Sequence, residues 1–368
     1  MIRADSIVLG GGIVGAATAL HLRLKGLSVL LLERDRAGQR ASGVNFGGVR
    51  QQGRALGELA LARRARRLWA ELPRLIGIDG EFAVTGHLRL ARSEADMALI
   101  ERHCRDAAAF GLDFELLGRN ALMARFPWLG DIVHGGSFAA EDGQANPRLV
   151  SPAFAHAARR AGAEILEGTT VSAGEAADGS FRLRSSDGRE FASRFLFNCA
   201  GAWAGTVAGW FGEAVALKPK FPQVMVTEPL PHRIGPVLGV VGGDLYLRQI
   251  ERGNVIFGGG EGRISDDWLR SRPRPDVARA TVATAVELVP HLKHAAIIRM
   301  WTGVDGDTAD GSPVVSPSLR HPGLSMPSAS AATASSSDPR PAPSWPSSPW
   351  TERRRPTSRP SASRASWT

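Results

Sequence analysis

Gly10, Gly12 and Gly15 stand in the spacing G-x-G-x-x-G, directly after the apolar residues Ile7, Val8 and Leu9. Each glycine in such a turn has its own use. Gly10 allows the tight exit from a strand, Gly12 lets backbone approach a pyrophosphate, and Gly15 lets the following helix close on the strand. That helix would present the N–H groups of Ile13 and Val14, and the positive end of its dipole, to an anion. A second apolar run, residues 27 to 32, ends in Glu33 and Arg34. An acidic side chain at that place meets a ribose hydroxyl. The pattern implies a dinucleotide ligand, the alternative being a glycine turn that holds nothing.

Around this turn, residues 13 to 25 have helical periodicity, so strand, helix and second strand form one βαβ unit. A polar, glycine-rich loop follows, with Ser42, Asn45, Gly47, Gly48 and Arg50. Helices are expected over residues 53–72, 94–110, 119–125, 147–162 and 276–288. Alternation over residues 80–92 predicts a strand facing two environments. Further strands are expected at 134–140, 164–166, 195–198, 245–248, 255–257 and 297–301, with Asp142-Gly143 as a turn and a hairpin turning at Asp187-Gly188. Parallel α/β stretches and antiparallel stretches alternate, which implies two domains crossed repeatedly by the chain.

The chain has 368 residues and a formal net charge of +9. Its length allows two domains with substantial cores. No apolar run approaches the ~18 residues of a membrane span, and the N-terminus leads almost directly into the first strand, leaving no room for a signal peptide. The two cysteines, Cys104 and Cys199, are far apart and form neither a disulfide framework nor a metal site. A cytoplasmic protein with no metal and no nucleic-acid partner is expected. The Arg-rich stretch at residues 63–67 reads as a solvated helix face.

The glycine motif with Glu33, the loop from Ser42 to Arg50, Asn198-Cys199-Ala200-Gly201-Ala202-Trp203, and Arg299-Met300-Trp301-Thr302-Gly303 with Asp310 and Pro313 together resemble the D-amino-acid oxidase superfamily of FAD-dependent oxidoreductases. Within it the chain is similar to the sarcosine oxidase and opine or hydroxyproline dehydrogenase branch. The resemblance covers residues 1 to about 324. It implies a Rossmann-like FAD-binding domain (1–80, 142–215 and 296–324) interleaved with an α+β substrate domain (81–141 and 216–295) that contains a mostly antiparallel sheet. It also implies oxidation of an amino acid or secondary amine to an imine by hydride transfer to flavin.

Carried onto this chain, the resemblance gives Gly10, Gly12, Ile13, Val14 and Gly15 to the pyrophosphate, and Glu33 with Arg34 to the adenosine. Ser42, Asn45, Gly47 and Gly48 would wrap the pyrophosphate and flavin edge, and Ala200, Gly201 and Trp203 would close the adenine side. Arg50, Tyr246 and Arg248 would meet substrate. Each of these three has a plainer reading, as a salt-bridged loop residue, a half-buried packing residue and an exposed edge residue. His87, His134 and His321 read as structural. Relatives that clamp a substrate carboxylate with an arginine after Trp-x-Gly have Val304-Asp305-Gly306-Asp307 here, so that clamp is absent. No Cys or His stands in the flavin-facing loops, so FAD is expected to be non-covalent.

Residues 325–368 contain no Leu, Ile, Val or Phe, but thirteen Ser and eight Pro. That composition is one of a disordered tail. Synonymous codons for residues 325–339, read two bases later, can encode Tyr-Ala-Phe-Gly-Phe-Ser-Gly-His-Gly-Phe-Gln-Leu-Gly-Pro, which resembles the family's flavin-binding segment. The tail therefore reads as a frameshift product, with a genuine disordered extension as the alternative. Three functional expectations follow: an FAD enzyme, a subunit of a heteromeric amine dehydrogenase, or an inactive product lacking the C-terminal flavin-binding segment.

Overall fold

The computed structural model describes residues 1–309 and 311–328. The first apolar run belongs to a longer strand, Ile2–Leu9, whose last four residues are buried. Parallel strands flank it, Val29–Leu32 on one side and Glu190–Asn198 on the other, with Val8 opposite Leu31 and Phe197. Continuous apolar runs are what a parallel sheet covered on both faces requires. Successive side chains point to opposite faces. Val8 and Leu31 meet Ala16, Ala19 and Leu20 of helix Ile13–Leu24 and Phe154 and Ala158 of helix Pro147–Arg160. Ile7 and Leu30 meet Phe181, Phe191, Val207 and Phe211 on the other face. Leu324–Ser328 and Val314–Pro317 extend the sheet beyond Glu190–Asn198, and Glu164–Leu166 extends it beyond Val29–Leu32. The hairpin of Val171–Ala177 and Ser180–Ser185 pairs onto Glu190–Asn198.

The second sheet runs Ile297–Thr302, Pro222–Pro229, Asn254–Glu261, Tyr246–Gln249, Val237–Val240, His87–Ala91, Gly135–Ala139, Glu115–Gly118. Only Val237–Val240 and His87–Ala91 pair in parallel; the other pairings are antiparallel. Leu88, Leu90, Leu247 and Phe257 pack against Leu122 and against Ala285 and Leu288 of helix Pro275–Leu288. Ala91 and Ala139 pack against Ile100, Cys104 and Ala107 of helix Glu94–Ala108. The fold is thus mixed α/β, with one mainly parallel and one mainly antiparallel sheet sharing the chain in alternation.

Four expectations change. The strand expected over 80–92 forms only at His87–Ala91, and all five residues are buried because strands flank it and cores cover both faces. Positive φ at Gly80, Glu81 and Gly86 breaks the preceding stretch. The helix expected over 53–72 is divided into a 3₁₀ turn at Leu56–Glu58, a helix at Leu59–Ala70 and a short one at Leu72–Ile76. Its arginines are not all a solvated face, since Arg63 and Arg66 donate to the carbonyls of Phe110 and Glu141. Ile297–Thr302, assigned above to the FAD-binding portion, lies in the second sheet because it pairs with Pro222–Pro229.

The tail also starts later than expected. Leu324 and Ser325 pair with Leu196 and Phe197, and Met326 follows Leu324 into the core at the alternate position. A backbone ladder accepts any side chain but Pro's missing donor, and Met326 supplies the apolar group that the sheet face needs. Residues 329–368, the rest of the expected tail, lie outside the described residues.

The packing of helix Ile13–Leu24 on its strand gives a direct test. A Cβ at Gly15 would lie 1.9 Å from the Gly10 carbonyl oxygen. Gly15→Ala is expected to lower stability by about 1–3 kcal/mol in urea unfolding, as overpacking does. Helix propensity alone would favour alanine by about 1 kcal/mol, so a stabilised variant would refute the close approach.

Candidate active site

Helix Ile13–Leu24 starts at Gly12, which has no side chain to cap it. Its first N–H is met from elsewhere in the chain, as Ser42 Oγ accepts from Ile13 N at 3.0 Å. The glycines differ sterically. Gly10 has φ +105°, and a Cβ there would lie 2.3 Å from the Cys199 carbonyl oxygen. A Cβ at Gly12 would meet only Ser42, at 2.9 Å from Oγ. Gly10 and Gly15 therefore serve packing, while Gly12 keeps space open before the helix terminus.

Glu33 is buried at the end of Val29–Leu32. Its Oε2 accepts from Gly11 N at 2.5 Å and its Oε1 from Asp35 N at 2.7 Å. Burial nevertheless holds its carboxyl above the usual range. Arg34 lies over the Trp203 ring, 4.1 Å from its centroid, and Arg40 pairs with Asp35 at 2.7 Å. Glu33, Arg34, Arg40 and Trp203 wall a cleft that is open to solvent. Gly10, Gly12, Val14, Glu33, Arg34, Ser42, Ala200, Gly201 and Trp203 all line it.

Ser42 is shared with a second cavity, lined also by Ile13, Asn45, Gly47, Gly48 and Arg50. Asn45 shapes this loop, accepting from Gly47 N at 2.8 Å and donating to Ser42 O at 2.9 Å. Arg50 donates to the Gln52 carbonyl and makes no ion pair among the described residues. Its charge is disfavoured first by burial and then by the guanidiniums of Arg54 and Arg89. Below it, the fully buried Asp142 accepts from Gln51 N at 2.8 Å and Gln52 N at 3.0 Å. His87, read as structural, takes Gln52 Oε1 as its partner at 2.9 Å, and burial holds it neutral.

Tyr246 and Arg248 line neither cavity. Their strand is interior to the second sheet, so Arg248 is buried and not an exposed edge residue. Tyr246 packs edge-on against Phe46 with ring centroids 4.7 Å apart. Arg248 donates from Nη1 to Gln144 Oε1 at 3.0 Å, and its guanidinium lies 5.5 Å from the Phe46 ring centroid. Its Nε is buried without a partner among the described residues, and burial lowers its pKa to about 10. A Cβ on Gly47 would lie 2.7 Å from Arg248 Nη2, so the loop rests directly on the arginine.

Three residues at or beside the site have no role in the sequence pattern: Asp142, Gln144 and Asp305. Asp142 reads only as half of a turn, and Gln144 has no local signal. Asp305 stands in the sequence merely as a departure from the family's arginine clamp, yet it lines the first cleft. It is brought there by the pairing of Asp305–Asp307 with Lys218–Lys220. Burial, with Asp307 beside it, raises its pKa to about 7 against the hydrogen bond from Gly306 N. Asp310 lies outside the described residues.

The sequence profile of the FAD dependent oxidoreductase (DAO) family matches residues 5–327, and the chain belongs to this family. A subunit of opine oxidase from Rhizobium meliloti is 28% identical over 340 residues, covering 89% of this chain and 88% of the relative. The sarcosine oxidase beta chain of Rhizobium meliloti (strain 1021) is 26% identical over 329 residues, covering 84% of this chain and 76% of the relative. The structure of L-proline dehydrogenase from P. horikoshii superposes with a TM-score of 0.81 at 24% identity, over 91% of this chain and 89% of that one.

The protein is therefore an FAD-dependent oxidoreductase. The first cleft fits an adenine dinucleotide: a helix terminus whose N-cap is a glycine without a side chain, room before it, and a carboxylate at the end of the second strand. No helix of the described residues is long and apolar enough to cross a membrane.

Asp305 makes stability depend on pH. Its folded pKa of about 7 exceeds its ordinary value of 3.8, so the fold favours the neutral carboxyl. Stability contributed by the neutral form is lost as pH rises between these two values. Asp305→Asn is expected to gain in melting temperature relative to the parent chain between pH 5 and pH 8. A constant difference would show that Asp305 ionises normally.

Proposed function

We propose that this protein oxidises an amino acid or secondary amine at the carbon next to nitrogen, giving an imine that water hydrolyses. FAD, when bound, supplies the electron acceptor for the hydride. The N–H of Val14, and the start of the helix that Ser42 holds through Ile13 N, take the pyrophosphate, and Glu33 faces the ribose. The Arg34–Trp203 pair walls the adenine side, while the loop from Ser42 to Gly48 reaches toward the ring. The residues up to 80, 142–215 and 303–324 serve the cofactor, and the second sheet serves the substrate.

The observation that carries the substrate reading is Arg50. It is a cation without an ion-pair partner among the described residues, on a cavity that adjoins the cofactor cleft at Ser42. A guanidinium is the natural bidentate partner of a carboxylate. Arg248 supports the loop from beneath Gly47, and Tyr246 does so through Phe46. No protein base is assigned, since hydride loss requires only that the substrate amine be neutral. Attachment of FAD is non-covalent. Cys199, the cysteine on the cleft wall, has its thiol pushed up to about 12 by burial and is a poor nucleophile. Both cysteines are free, which suits the reducing cytoplasm.

Gly12→Val is expected to abolish flavin binding, because its branched side chain would fill the space before the helix terminus. Acid precipitation should release the flavin of the parent chain into the supernatant. Arg50→Ala should weaken binding of carboxylate substrates by about 1.5–3 kcal/mol, the range for a hydrogen bond to a charged group. Equal loss toward amines without a carboxylate would assign Arg50 to the fold.

A second reading, one chain of a heteromeric enzyme, is favoured by the opine oxidase and sarcosine oxidase relatives, both of which are named as subunits. A third, a chain inactivated by a frameshift, is favoured by the change of composition after residue 324 and by a family match that stops at residue 327. The coding DNA around codons 320–330 decides it. If restoring the frame leaves flavin occupancy and melting temperature unchanged, the frameshift reading has no functional content.

A further inference from the structure

Among the described residues Ile297–Thr302 terminates the second sheet, pairing with Pro222–Pro229 along one edge and with no strand of the sheet along the other. A terminal strand ordinarily buries one face. Here Ile297, Ile298, Arg299 and Met300 are all exposed, so both faces meet solvent over that stretch. Ile298 is 60% and Met300 42% exposed. An apolar edge of this kind is a template for strand addition unless something covers it.

Charge indicates what covers it. Arg299 is the only ionised side chain in the exposed stretch. Arg148, at the start of helix Pro147–Arg160, lies over the Trp301 ring 5.2 Å from its centroid. Burial first, and then the charge of Arg299, disfavours the Arg148 cation. Neither arginine has an ion pair among the described residues. A second copy of the same strand would bring another Arg299 to this edge and add like charge. Carboxylates from a different chain would relieve it.

We propose that the outer edge of Ile297–Thr302 docks an extended segment of a partner protein, in which acidic residues alternate with apolar ones. The segment adds a strand to the second sheet through main-chain hydrogen bonds, and its carboxylates pair with Arg299 and Arg148. This rests on the reading of the protein as one chain of a heteromeric enzyme and is independent of the cofactor assignment.

The test uses the full chain and two labelled peptides, Glu-Val-Glu-Ile-Glu-Val and Lys-Val-Lys-Ile-Lys-Val, with binding read by fluorescence anisotropy at low salt. The parent chain is expected to bind the acidic peptide at least about tenfold more tightly than the basic one, a difference of about 1.4 kcal/mol. Arg299→Glu, on the exposed surface and lining neither cavity, is expected to reverse that preference. Failure of both peptides to bind, equal affinity, or a preference unchanged in Arg299→Glu would overturn the proposal. So would a dimer of the parent chain in sedimentation that Arg299→Glu dissociates, since it would give the edge to a second copy. Reversal of preference supports the docking edge whether or not the chain carries flavin, so failure of the cofactor reading remains distinguishable.

Discussion

The distance of closest approach between Gly15 and the Gly10 carbonyl sets how helix Ile13–Leu24 leaves the first sheet, and much of the candidate site is arranged about that exit. Because no Cβ intervenes, the helix starts at the strand end and its terminus opens onto the space beyond. Three separate stretches of chain then converge on the same turn. Gly10 N donates to Leu32 O, Cys199 N to Leu9 O, and Gly38 N to Gly11 O, each at 2.8–2.9 Å. Ser42 reaches Ile13 N from the same loop as Gly38. A bulkier residue at Gly10 or Gly15 would displace the terminus and the Cys199-to-Trp203 segment together, since a Cβ at either position meets backbone, which cannot move aside cheaply.

What the chain alone reveals follows the range of the interactions concerned. The βαβ unit and the cleft residues it supplies, Gly10, Gly12, Val14, Glu33 and Arg34, are legible because their geometry is local: turn, helix start and second strand fall within about thirty residues. Arg248 is legible as a strand residue, but its sequence leaves open an exposed edge. That alternative fails because Tyr246–Gln249 has a neighbour on each side, which only the pairing of distant segments decides. Asp142 is hidden for the same reason. Asp-Gly is a turn signal, but its carboxylate serves the backbone of Gln51 and Gln52, some ninety residues earlier. The alternation at residues 80–92 misleads because a strand buried on both faces need not alternate.

The buried charges show a common design. Placing an unpaired guanidinium in a protein interior costs on the order of several kcal/mol. A carboxylate partner would remove most of that cost. Arg248 has instead the neutral amide of Gln144, and Arg50 has the backbone carbonyl of Gln52. Such partners orient a guanidinium and satisfy some of its donors, while Asp142 and Glu58 for Arg50, and Glu81 for Arg248, offset part of the burial cost only through space. Asp142, the acid near Arg50, is occupied by two backbone N–H groups and a side-chain amide. Charge held in this way would be stabilised by an anionic ligand, which is the basis of the substrate role proposed for Arg50. Asp305 shows the converse. Burial there keeps a carboxyl largely neutral, so the wall of the cleft that fits a pyrophosphate does not present a full negative charge to it at and below neutral pH. A cation without an ion-pair partner among the described residues lines one cavity, and an acid whose ionisation is disfavoured lines the other, so each presents less negative charge than its residue types would allow.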